Sequence, residues 1–198
     1  MRAFISISLI SMISSASWAA LPPQFADCMS TEGSASSVYD VKEIAKVAKV
    51  NYCQNQIGLT NKYDTIDLLK TRNVNVGISV SKTTYTQEDL SELAKSGSYV
   101  LYVDGTRIAK EYLNGLASQG VQLVVMSATA GLANADLLNL AKTRPFVYNV
   151  NSTVVKEDVK ALVAAGVTVV FRSNASGLTK EQIVEIAKVN PDLVTLSP

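Results

Sequence analysis

The chain of 198 residues contains no histidine. The commonest general base and metal-binding imidazole is therefore missing from the whole sequence. The single tryptophan, Trp18, lies within the first twenty residues, and cysteine occurs only as Cys28 and Cys53. Two thiols without imidazole fall short of the four ligands of a structural zinc site, so no metal is expected. Beyond the first twenty residues no apolar run approaches the roughly 20 residues of a membrane span, so no membrane insertion is expected. Charge of either sign is not in excess, with 18 Lys and Arg against 17 Asp and Glu. That balance offers no electrostatic attraction to nucleic acid or to an anionic membrane. No glycine-rich phosphate loop, calcium loop or paired-carboxylate motif stands out, and no cofactor is expected.

What is present begins with a leader-like segment. Arg2 supplies a positive start, Phe4 to Ile13 is an apolar region broken by serines, and Ser17 and Ala19 are small residues flanking Trp18. Residues 1–19 therefore read as a signal peptide cleaved after Ala19, with a buried N-terminal helix as the alternative. Loss of Arg2 leaves 17 basic against 17 acidic residues, a mature charge of zero. Two further regions are expected: an N-terminal capping region over 20–56 and a repeat domain over 57–198.

The repeat is carried by a strand motif. Leu101-x-Val103-x-x-Thr106 is followed by Val124-x-Met126-x-x-Thr129, Tyr148-x-Val150-x-x-Thr153 and Val169-x-Phe171-x-x-Asn174, and preceded by Ile78-x-Val80-x-x-Thr83. A truncated copy, Val194-x-Leu196, stands at residues 194–196. A helical half repeats as well, through Ile44, Leu69, Leu93, Leu116, Leu140, Leu162 and Ile186, at spacings of 22 to 25 residues. Each unit predicts a short alternating strand, a turn and a helix of about ten residues with one apolar face. Thr86-x-x-Asp89 and Thr179-x-x-Gln182 read as helix starts. Gly97, Gly120 and Gly166 read as left-handed helix ends, and the residues before Pro145 and Pro191 as stops. Units this short cannot bury their own apolar faces and must stack. The expected fold is α/β, a right-handed solenoid of about 24-residue repeats with a parallel sheet on one side and helices on the other. An open doubly wound sheet is the competitor, but its units normally need about 30 residues or more.

The stretch "LYVDGTRI" resembles the strand-turn portion of leucine-rich repeats, with Thr106 in the asparagine place. "EIAKVNPDLVTLS" resembles the helix-to-strand portion of their ribonuclease-inhibitor-like, helix-bearing class. The likeness spans roughly residues 40–198. It implies a ladder of side-chain hydrogen bonds between adjacent turns, here through Thr83, Thr106, Thr129, Thr153 and Asn174. It also implies partner binding on the outer strand face, here Val100, Tyr102, Leu123, Val125, Val147, Asn149 and Val170. The sequence departs from the pattern at Gly131 and Ser176, which stand in the final apolar position.

Cys28 and Cys53 lie one period apart, 25 residues. Equivalent positions on adjacent strands are about 4.8 Å apart, within disulfide reach. A clasp between them is expected, with two buried thiols as the alternative. Ser79-Val80-Ser81-Lys82 matches the S-x-x-K nucleophile motif, but its companion motifs are absent and Ser79 falls on a strand. Asn151 and Asn174 begin glycosylation sequons that the turn pattern already accounts for. The functional expectation is a secreted, non-enzymatic protein-interaction module acting through the strand face. The alternative is a structural subunit that stacks end to end into extracellular filaments through Leu193, Val194 and Leu196. The expected partner is accordingly another protein or a further copy of this chain.

Overall fold

A computed structural model describes residues 37–56, 61–172 and 174–197. Strands and helices alternate throughout: α1 (Val38–Ala45), β1 (Val50–Gln54), α2 (Lys62–Lys70), β2 (Val74–Ser79), α3 (Gln87–Ser96), β3 (Val100–Val103), α4 (Lys110–Ser118), β4 (Gln122–Met126), α5 (Asn134–Thr143), β5 (Val147–Val150), α6 (Lys156–Ala164), β6 (Thr168–Arg172), α7 (Lys180–Ala187) and β7 (Val194–Ser197). All seven strands are parallel and lie in sequential order, β1 to β7. α1 and β1, which fall in the expected capping region, continue this same sheet.

Local chemistry explains the helix boundaries. Ser37, Asn61, Thr86 and Thr179 each accept a hydrogen bond from a first-turn N–H, and Thr86–Asp89 and Thr179–Gln182 close full capping boxes. Arg144 and Asn190 leave helical space before their prolines. Gly120 and Gly166 end α4 and α6 with positive φ. Gly97 does not: its φ of 175° is extended. It is glycine because a Cβ there would stand 2.9 Å from the Leu69 carbonyl oxygen.

The main core lies between the sheet and the helices. Ile78, Leu101, Leu123, Val125, Val150 and Phe171 from the strands meet Leu68, Leu93, Leu116, Leu140, Leu162 and Ile186 from the helices. Each such leucine contributes on the order of 1.5–3 kcal/mol by leaving water. The pairing register is Ile78↔Leu101↔Leu123 and Val125↔Tyr148. The sequence frame, which aligned Leu101 with Val124, is thus one residue out at β4. Because strand side chains alternate, that slip exchanges the two faces. Leu123 and Val125 point to the helices, and Val124 and Met126 point away. In β1, Tyr52 packs in the main core, and Cys53 pairs with Gly77 and lies on the helix-free side.

Candidate functional site

The helix-free side of the sheet holds a second apolar cluster. Val100, Tyr102, Val124 and Val147 form it, with Cys53, Met126 and Val170 packed against them. No described helix contributes to it. Tyr102 is only 2% exposed, and burial pushes its phenol well above the ordinary range. β3 and β5 are consequently buried on both faces along their whole length.

This burial corrects the strand-face expectation. Of the seven residues expected to meet a partner, Val100, Tyr102, Val147 and Asn149 are buried on the helix-free side or at its end, and Val170 is half-buried. Leu123 and Val125 are buried on the opposite side, against the helices. None of the seven presents an open apolar surface. The physical reason is cohesion: side chains from β3, β4 and β5 pack on one another instead of facing water.

Polar residues gather where the strands end. Asp104, one residue beyond β3, takes the Ser81 backbone N–H on Oδ1 at 2.9 Å and the Ser79 hydroxyl on Oδ2 at 2.7 Å. The Ser81 hydroxyl adds a third donor at 2.5 Å. Asn151, one residue beyond β5, does the same for the turn after β4, accepting from the Ala128 N–H at 3.0 Å and the Ser127 hydroxyl at 3.2 Å. These two side chains bond across adjacent turns, as do Arg107, which donates to the Val80 carbonyl at 2.6 Å, and Ser127, which accepts the Ser152 backbone N–H at 3.1 Å. The threonine ladder is corrected accordingly. Thr83 is buried but bonds the Ser79 carbonyl within its own turn at 2.7 Å, while Thr106, Thr129, Thr153 and Asn174 are exposed. A visible signal for the true pairs was Ser81 with Asp104 and Ser127 with Asn151 in neighbouring repeats, each acidic or amide side chain just past a strand.

Ser79 faces away from the helices but is buried, and its oxygen accepts the Lys82 backbone N–H at 3.0 Å while its proton goes to Asp104. Asp104 already holds three donors, so this arrangement clamps a turn and does not activate a nucleophile. Asn149 is different. The penultimate residue of β5, it pairs with Met126 and Val170, is 7% exposed, and its Oδ1 accepts no hydrogen bond among the described residues. Buried polar atoms without partners are scarce in folded proteins. Tyr52 Oη, Asn134 Oδ1 and Gln54 Oε1, whose own amide nitrogen donates to Thr65, are also buried without a hydrogen bond to a described residue. They lie on the helix side or on a helix, whereas Asn149 lies on the helix-free side. Two residues further along the next strand is Arg172, half-buried, with Nη1 donating to the Ser197 hydroxyl at 3.1 Å. Among the described residues no cluster of potential metal ligands occurs, and no helix is long and apolar enough to cross a membrane. Cys53 is not a free thiol, and Cys28 lies outside the described residues. Leu193 and Val194 pack against the main core, leaving Leu196, 64% exposed, as the open member of the expected end-to-end contact.

No family model matches the chain, and no curated protein is significantly similar to it in sequence. The leucine-rich-repeat likeness therefore stays a likeness of residues. Similar solved structures include oxaloacetate acetylhydrolase in complex with the product oxalate, at 11% identity, covering 81% of this chain and 72% of that one with a TM-score of 0.40. Another is oxaloacetate acetylhydrolase in complex with the inhibitor 3,3-difluorooxalacetate, at 9% identity, covering 87% and 77% with a TM-score of 0.41. Likeness at this level transfers no activity. The expectation of a non-enzymatic module acting through the strand face is corrected by the burial of that face.

Proposed function

We propose that the helix-free side of the sheet is the inside of a β/α-barrel-type wall, and that its mouth is an enzyme-type site for a small ligand. A sequential parallel sheet with helices on one side has two solutions: an open solenoid with a bare strand face, or a curled wall with that face inside. Burial on both faces of β3 and β5 favours the second. In barrels of this kind, binding and chemistry gather at the carboxyl ends of the strands. Ser79, Asp104, Asn149 and Arg172 occupy those ends here. The observation that carries the reading is the buried, unpartnered Oδ1 of Asn149.

The test is the stability of Asn149→Leu, a near-isosteric change. A residue kept for a ligand is a cost to the empty fold, so the variant should be as stable as the parent or more stable by about 1 kcal/mol in urea titration. A loss of more than about 1 kcal/mol would show that Asn149 serves packing, and the site reading would fall.

Export is part of the same proposal, on the leader-like residues 1–19, as is the Cys28–Cys53 clasp. Mass analysis of the exported chain after alkylation without reductant should find a start at Ala20 and no alkylated cysteine. Two alkylated cysteines would remove the clasp.

A further inference from the structure

We infer that the site takes a small carboxylate bearing a neighbouring hydroxyl group, a 2-hydroxy acid in the simplest case; this rests on the reading of the mouth as a ligand site. Two side chains carry the inference. Asn149 sits on the helix-free side at the carboxyl end of β5, with an acceptor oxygen that no described group satisfies. Arg172 ends β6, and the pairing Asn149↔Val170 places it one strand over and two residues along on the same side. Strand spacing and rise put the two Cα atoms about 8 Å apart, a gap that an arginine side chain crosses.

The chemistry of the pair selects the ligand. A guanidinium carries five N–H donors and binds a carboxylate through two parallel ones. The Asn149 oxygen calls for a hydroxyl or amine proton close to that anion. Arg172 is the one cation of the described strand residues on this side, and Asp104 is the one carboxylate just beyond them. One negative charge matches the single guanidinium, whereas a dianionic phosphate would bring a second charge with no second cation to meet it. Val170 and Met126, packed beside Asn149, limit the space to a compact molecule. Exclusion of water by these side chains strengthens both contacts.

The experiment is calorimetric titration of the full exported chain with glycolate, acetate and ethylene glycol, which separate the anion from the hydroxyl at nearly constant size. Glycolate should bind about tenfold more tightly than acetate, as one extra buried hydrogen bond allows. Asn149→Leu should erase that difference and leave acetate binding unchanged. Arg172→Lys, which keeps the charge but not the paired donors, should weaken both acids at least about tenfold. Ethylene glycol should be the weakest of the three. If ethylene glycol binds as well as glycolate and depends on Asn149, the anion assignment is wrong while the ligand site stands. If no probe binds the folded parent although Asn149→Leu is as stable as it, the 2-hydroxy acid inference is overturned while the site reading survives. Binding of glycolate that neither variant alters overturns the inference as well.

Discussion

The carboxylate of Asp104 and the backbone N–H of Ser81 meet at 2.9 Å across 23 residues of chain. The bond joins the turn after one strand to the end of the next, and Asn151 repeats it to Ala128 at 3.0 Å, again 23 residues apart. A small polar side chain just beyond a strand thus locks consecutive units in register. The carboxylate version holds two hydroxyls besides, and the amide version one.

Asp104→Ala should destabilise the protein by about 2 kcal/mol, because charge-assisted hydrogen bonds are lost and the buried Ser79 hydroxyl is left without its acceptor. Asp104→Asn should cost about half as much, since an amide performs the same crossing at Asn151. Urea denaturation of the two variants checks the order. Equal losses would mean that the charge, not the acceptor geometry, holds the turn.

Val124→Asp probes the second cluster. Inside a curled wall the carboxylate has no described partner and the variant should lose at least about 3 kcal/mol. On an open solenoid face the same change would stay within about 0.5 kcal/mol. A thermal melt beside the parent decides between them.

High pH should weaken the fold. Burial raises the folded-state values of Tyr99 and Tyr102, and desolvation is also the largest cause of the rise at Tyr52 and Tyr148. An unfolded phenol ionises near pH 10. Above that pH the unfolded chain releases protons that the native state retains, so stability falls as pH rises. Urea midpoints should be level at neutral to mildly alkaline pH and drop beyond about pH 10. Absorbance titration of native protein should show Tyr99 and Tyr102 ionising only with unfolding.

Two glycines should respond in opposite directions. Gly97→Ala drives a Cβ to 2.9 Å from the Leu69 carbonyl and should cost about 1–3 kcal/mol. Gly115 lies inside α4, where an added methyl would meet nothing within 4 Å, and Gly115→Ala should gain about 0.5–1 kcal/mol from helix propensity. Calorimetric melting temperatures give both signs.

The alternation of strand and helix was legible along the chain because it is written in local terms. Leucines and isoleucines near every 24th position mark the helix faces. Thr86–Asp89 and Thr179–Gln182 mark starts, and Pro145 and Pro191 mark ends. These signals depend on neighbours within a turn or two, so sequence alone determined a parallel α/β repeat. Register did not follow from it at β4, where "LVVM" is apolar at every position and offers no alternation to choose a frame. Only pairing with β3 and β5 assigned Leu123 and Val125 to the helices. Curvature was equally out of reach. Val100, Tyr102 and Val147 suit an exposed strand and a buried one alike, and contact among side chains from three strands buried them. The unsatisfied oxygen of Asn149 is of the same kind. The sequence placed Asn149 on a strand face, and its missing partner exists as a fact only once every surrounding atom has a position.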